Sequence, residues 1–120
     1  ITQMILIETI VGLSAALITG LVVFWKNIIA WINKAVEKIK EVLGFPPHGT
    51  RTYIERTEDG FRNKSKYYYQ NRVTREWEEI VYTKIVDEDE IPTEVMRKAK
   101  SLGVGEEAST TEELKLAINA

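Results

Sequence analysis

The sequence predicts an α+β protein in which a long N-terminal transmembrane helix continues as an amphipathic stalk, followed by a small three-stranded antiparallel sheet and one or two short C-terminal helices. Three observations favour this class. The chain opens with an apolar run, an apolar stripe at helical spacing follows it, and beyond residue 50 apolar and polar residues alternate. The 120 residues include no cysteine, so disulfides and thiolate metal sites are excluded.

The first feature is the apolar run from Met4 to Trp25, whose one charge is Glu8. At about 1.5 Å per residue, a helix of this stretch matches the ~30 Å hydrocarbon core of a bilayer. Trp25, Lys26 and Trp31 fit the aromatic and basic edge of a membrane interface. Lysines follow the run and none precedes it. We therefore predict a single-pass membrane protein with its C-terminal part in the cytoplasm.

Small residues recur on one face of this run. Gly12, Ala16 and Gly20 are spaced by four, and Glu8 lies on the same helix face. Small side chains allow transmembrane helices to approach closely, and an ionisable group in such a helix commonly faces a partner. We therefore predict a homo-oligomer associated through Glu8, Gly12, Ala16 and Gly20. The alternatives are that small residues are simply common in membrane helices, and that Glu8 is hydrated at the outer interface.

The helix is predicted to continue past the membrane as an amphipathic stalk, because apolar residues recur at spacings of three and four: Ile28, Ile29, Ile32, Val36, Ile39 and Leu43. Gly44 is a suitable residue after a helix, and Pro46-Pro47 prevents its continuation. The predicted organisation is a transmembrane and stalk helix over 1–43, a Pro/Gly linker over 44–49 and an α+β head over 50–120.

Within the head, β-branched and aromatic residues predict strands at Arg51–Thr57 and Phe61–Val73, and alternation predicts a third at Glu76–Val86, with a hairpin turn at Glu58–Gly60. On the third strand, Trp77, Val81 and Ile85 are expected to share one face, opposite Ile80, Tyr82 and Val86. A short helix is predicted from Pro92 to Leu102. Thr110 and Glu113 match a capping box for a last helix, Glu112–Ile118.

The segment Met4-Ile5-Leu6-Ile7-Glu8 resembles the start of a mature type IV pilin, whose fifth residue is a glutamate. The resemblance covers about 43 residues and implies a long N-terminal helix that carries a small β-rich head. It implies that Glu8 neutralises the terminal amine of a neighbouring subunit. The alternative function is therefore a pilin-like subunit of an extracellular filament with a helical hydrophobic core. Gln3 stands where that pattern has glycine.

Basic and aromatic residues are concentrated in the second predicted strand and just after it. Guanidinium groups bind phosphate and aromatic rings stack on bases, which makes an anionic-ligand surface the candidate here: Arg62, Lys64, Lys66, Tyr67, Tyr69 and Arg72. A nucleotide bound to the head would make the protein a ligand-gated membrane effector. The alternative is that the basic residues protect strand edges from aggregation. No specific nucleic acid is predicted.

No enzymatic motif accompanies these residues. His48 is the one histidine and lies in the Pro/Gly linker, and the chain has no GxGxxG, Walker or HExxH pattern. The acidic run Asp87–Glu90 lacks the spacing of an EF-hand loop and is predicted to be a solvated connector. We expect a non-enzymatic membrane protein without cofactor or metal, whose partners are the lipid bilayer, further copies of itself, and an anionic ligand or protein at the head.

Overall fold

The computed structural model describes residues 23–119. The elements in chain order are helix α1 (Val23–Leu43), strands β1 (Gly49–Thr57), β2 (Gly60–Gln70) and β3 (Trp77–Val86), a 3₁₀ turn (Glu88–Glu90), helix α2 (Thr93–Ala99), strand β4 (Glu107–Ser109) and helix α3 (Thr111–Asn119). The α+β class is therefore confirmed. The predicted association face, Glu8, Gly12, Ala16 and Gly20, lies outside the described residues.

Helix α1 ends where the sequence predicts. Its last residue is Leu43, and Gly44 follows with φ +82°, a left-handed conformation that glycine adopts without steric cost. The amide of Gly44 donates to the carbonyl of Lys40 at 2.9 Å, which closes the last turn. Within residues 23–119, no helix is both long enough and apolar enough to cross a membrane.

The apolar stripe of α1 packs on the sheet, so in this part of the chain the predicted stalk does not stand apart from the head. Ile29 and Ile32 are completely buried and belong to one hydrophobic core with Ile54 of β1 and Tyr67 of β2. Trp25, which was expected at a membrane interface, is only 3% exposed in the same core. A stripe of this width requires an apolar partner, and the sheet supplies it.

The sheet is antiparallel with strand order β3-β2-β1-β4. The predicted hairpin is present. Thr57 pairs with Gly60 across the two residues Glu58 and Asp59. Side chains alternate between two faces. The inner face, which the three helices cover, contains buried residues of β1 and β2: Thr50, Thr52, Ile54, Phe61, Asn63, Ser65 and Tyr67.

The prediction of three strands was wrong, because β4 is a fourth. Its three residues, Glu107–Ser109, have weak intrinsic strand preference. Strand β4 is stabilised by pairing with the free edge of β1, where Ala108 lies opposite Ile54. Two backbone hydrogen bonds of Arg56 precede this pairing. The Arg56 amide donates to the Glu106 carbonyl at 3.0 Å, and the Arg56 carbonyl accepts from the Gly105 amide at 2.8 Å. Tertiary contacts therefore create β4.

The last two helices are present, but the predicted capping box does not form. The Thr110 hydroxyl donates to the hydroxyl of Thr52 at 3.1 Å, and the Glu113 carboxylate accepts from Lys98 at 3.0 Å. The Thr52 amide donates to the Thr111 hydroxyl at 3.1 Å. Thr110 and Thr111 thus connect the start of α3 to the inner face of β1. Thr52 and Thr111 are 59 positions apart, so a local sequence motif does not predict their contact.

Candidate functional site: the open face and outer edge of the sheet

The face of the sheet opposite the helices, called the open face here, carries a cluster of charged side chains. Cross-strand partners point to the same face. Glu55 of β1 is paired with Arg62 of β2 and with Glu107 of β4, which places their three side chains side by side on the open face. Lys64 and Lys66 follow on the same face of β2 by the period of two. Strand pairing therefore assembles a cluster of charges from three strands.

These five residues, Glu55, Arg62, Lys64, Lys66 and Glu107, form a continuous charge network. Lys64 Nζ lies 2.8 Å from Glu107 Oε1 and 3.4 Å from Glu55 Oε2, and Lys66 Nζ lies 3.1 Å from Glu107 Oε2. Arg62 Nε donates to Glu55 Oε1. The Glu55 side chain is only 10% exposed. Partly buried pairs that share members are less screened by water than isolated surface pairs.

The network changes the acidity of its members. The hydrogen bond from Arg62 holds the pKa of Glu55 below its usual range, against the opposing effect of burial. For Glu107, burial raises the pKa, but the hydrogen bonds from Lys64 and Lys66 outweigh it, and the net direction is down. The hydrogen bond to Glu107 raises the pKa of Lys64. Glu55, Glu107 and Lys64 are therefore charged at neutral pH, and in the network three basic side chains face two carboxylates.

The lowered carboxyl pKa values predict acid destabilisation. The network contributes stability above the unfolded glutamate value of 4.5, and this contribution is lost as pH falls through the lower folded values. We expect the free energy of unfolding, measured by urea titration, to fall between about pH 7 and about pH 3. The double variant Glu55→Gln/Glu107→Gln should lose less over this interval. An equal loss in variant and wild type would contradict this role of the network.

The structure divides the predicted anionic-ligand surface among three places. Arg62, Lys64 and Lys66 lie in the charge network, where carboxylates already accept from them. Tyr67 is completely buried on the inner face, 5.7 Å ring to ring from Tyr82, and burial raises its pKa. It therefore offers no ring surface for stacking on a ligand.

The remaining two predicted residues lie near the turn that joins β2 to β3. The Tyr69 ring lies 6.3 Å from that of Phe45, and the Arg72 guanidinium stacks over the same Phe45 ring at 4.2 Å. These are contacts with the segment that follows α1, not with the charge network. The six predicted residues do not form one compact site within residues 23–119.

Sequence reasoning missed the two carboxylates that neutralise the basic residues. For Glu55 a signal existed, since a two-residue turn at Glu58 and Asp59 fixes the register and places Glu55 opposite Arg62. For Glu107 there was no local signal, because its strand forms only through pairing with β1. The open face also holds two cation–π contacts, Lys66 over Tyr53 at 4.5 Å and Arg51 over Tyr68 at 5.9 Å.

Beside the charge network, the open face of β3 carries three apolar side chains, the β3 row: Trp77, Val81 and Ile85. They are 46%, 44% and 86% exposed. Ile80 and Tyr82, on the other face of the strand, are partly buried against the core. The predicted division of this strand into two faces is therefore observed, and the β3 row lies on the face that is exposed to solvent.

β3 is also an edge strand, since its one neighbour in the sheet of residues 23–119 is β2. Its ten residues contain no proline and one lysine, Lys84, although proline and lysine are the residues that usually prevent edge strands from pairing. A long edge with an exposed apolar row is typical of a surface that pairs with another chain. The outer edge of β3 is therefore the candidate interaction surface.

Within residues 23–119, no three His, Asp or Glu side chains are grouped so that they could hold a metal ion. The chain matches no protein-family model, no curated protein and no solved structure.

Proposed function

We propose that the chain is a non-enzymatic, single-pass membrane protein whose α+β head is an assembly module. The observation that carries the proposal is the outer edge of β3, ten residues long and lined by the exposed β3 row. Edges of this kind add strands from other chains through backbone hydrogen bonds, and side-chain pockets or pairs give selectivity. The charge network beside it is satisfied internally, which favours protein association over capture of an anion.

The anchor in this proposal is the apolar run, shortened by its last residues. Phe24 and Trp25 are buried in the head's core, so the run available to a bilayer is Met4 to Val22. These residues would span about 28 Å as a helix, close to the ~30 Å hydrocarbon core. The run leads directly in sequence into α1, which packs on the sheet. Association of the heads would therefore bring the anchors of the associated copies together.

The mass of the full chain in a mild detergent, measured by light scattering, tests the proposal. We expect at least twice the 13.8 kDa of one chain. Val81→Lys/Ile85→Lys should lower this mass by placing charges on the β3 row, and Gly12→Leu/Gly20→Leu should lower it through the predicted membrane face. Val104→Lys/Leu116→Lys is the matched control, because both residues are exposed, 62% and 70%, away from β3. A wild-type monomer at all concentrations would contradict the proposal.

A second candidate is the pilin-like filament subunit. The observation that favours it is the packing of the amphipathic half of the helix on an antiparallel sheet, since the resemblance implies an apolar and then amphipathic helix carrying a β-rich head. Two measurements separate the candidates. A native N-terminus at Met4, with labelling of Lys84 and Lys100 in intact cells by an impermeant amine reagent, favours the filament. Protected lysines favour the cytoplasmic module. Both lysines are exposed, whereas Lys64 and Lys66 are held by Glu107.

A further inference from the structure

We propose that two copies of the chain pair through their β3 strands, antiparallel about a two-fold axis at Val81, and join two four-stranded sheets into one of eight strands. This inference rests on the proposed function and names the partner and the register of association. Within residues 23–119, no strand lies beside β3 on its outer side. A second copy of β3 in reverse direction supplies a strand of equal length, as isologous pairing requires.

Geometry restricts the register. In an antiparallel pair, residues directly opposite each other point to the same face. In a continuous sheet with the helices of both copies on one side, open-face residues therefore lie opposite open-face residues. The two-fold axis must then pass between one residue of β3 and the same residue of the partner copy, so that one residue lies opposite itself. Near the middle of β3 the choices are Ile80, Val81 and Tyr82.

The axis at Val81 makes every directly opposed pair compatible. On the open face, Val81 meets the partner copy of itself and Trp77 meets Ile85. The β3 rows of the two copies, 44–86% exposed in one copy, then merge into a single apolar strip in which the side chains contact one another across the axis. Aromatic–aliphatic pairs of this type are among those that stabilise sheets.

The other face of β3 is equally complementary in this register. Glu78 lies opposite Lys84 in each of the two symmetry-related positions, and Ile80 lies opposite Tyr82. Glu78 and Lys84 are both exposed in the single copy. Glu78 Oε1 accepts from the Asn71 side-chain amide at 2.9 Å, but neither residue has an ion-pair partner among the described residues, so the two can pair across the axis. On the open face, Glu79 lies opposite Thr83, so no like charges lie opposite each other there.

The neighbouring registers lack this complementarity. An axis at Tyr82 places Glu79 opposite Ile85 and Ile80 opposite Lys84. An axis at Ile80 places Glu79 opposite Val81 and Glu78 opposite Tyr82. Each of these sets a charge against an apolar or aromatic side chain in symmetry-related pairs. The order of charges and apolar residues along β3 therefore selects Val81 as the centre of a self-complementary edge.

Cysteine cross-linking of the full chain tests this register, because the chain has no native cysteine. In Val81→Cys the two thiols meet at the axis, and mild oxidation should give a disulfide-linked dimer. In Ile85→Cys the two thiols would be offset by roughly 26 Å along the strands at ~3.3 Å per residue. Ile85 is more exposed than Val81, 86% against 44%. Exposure alone would therefore favour cross-linking at position 85, which is the opposite of what the proposed register predicts. We expect Val81→Cys to cross-link fully and Ile85→Cys hardly at all.

A charge exchange provides an independent readout. Lys84→Glu sets carboxylates opposite Glu78 in both symmetry-related pairs, and we expect the dimer dissociation constant to rise roughly tenfold. Adding Glu78→Lys exchanges the two charges and should restore dimerisation. If Val81→Cys cross-links no better than Ile85→Cys while the wild-type mass stays above that of a monomer, this register is overturned and the assembly function stands. A monomeric wild type overturns both.

Discussion

Tyr67→Ala is expected to lower the free energy of unfolding by about 3–5 kcal/mol, as truncation of a large buried aromatic residue does. Tyr67 is the largest completely buried side chain of the described residues and packs edge-to-face on Tyr82. Domains of this size have a total stability of about 5–15 kcal/mol. The variant should therefore be close to unfolding at physiological temperature, which urea titration followed by near-UV circular dichroism would show.

Tyr67→Phe is the matched control for this effect. The Tyr67 hydroxyl is buried near that of Ser65 but makes no hydrogen bond of normal geometry among the described residues, and removing an unsatisfied buried hydroxyl costs little or stabilises. We expect the phenylalanine variant to be within about 1 kcal/mol of wild type or more stable. A large loss in Tyr67→Phe would contradict the placement of this hydroxyl, and a small loss in Tyr67→Ala would contradict the placement of the ring in the core.

Local patterns predicted the elements whose signals are local. The end of α1 is encoded by Gly44 and the two prolines that follow, and the hairpin by the turn residues Glu58, Asp59 and Gly60. The two faces of β3 follow from its period of two. For each of these features, the residues that determine the structure are neighbours in sequence, so one sequence was sufficient.

The features that were not predicted depend on contacts between distant segments. β4 exists because β1 has an edge to pair with. The inner face of β2 contains Asn63 and Ser65, which are buried although their residue types are usually exposed. Both faces of that strand therefore read as polar, and the sequence did not distinguish the core face from the open face by composition.

The candidate site was also predicted incompletely because it depends on contacts between distant segments. Lys64 and Lys66 read as free positive charge, because the Glu107 carboxylate that binds them comes from a strand 41 or more positions away. The apolar stripe of α1 predicted correctly that the helix needs a partner, but not that the partner is the head's own sheet. An amphipathic stripe indicates burial without specifying what covers it.

Ile32→Ala is the variant that examines this packing of α1. Ile32 is completely buried in a core shared with Ile54 and Tyr67, and truncation of such a residue costs about 2–5 kcal/mol because a cavity remains. Val42 lies on the same helix but is 73% exposed, so Val42→Ala should change the stability by no more than about 0.5 kcal/mol. If α1 were a stalk apart from the head, neither change would affect the unfolding of the sheet.

The direct measurement is the free energy of unfolding of the full chain in mild detergent, followed by tryptophan fluorescence, to which Trp25 contributes from within the shared core. Packing of α1 on the head predicts one cooperative transition, shifted to lower urea by Ile32→Ala and unshifted by Val42→Ala. Equal, negligible shifts in the two variants would contradict it, and would mean that the helix and the sheet unfold as separate bodies.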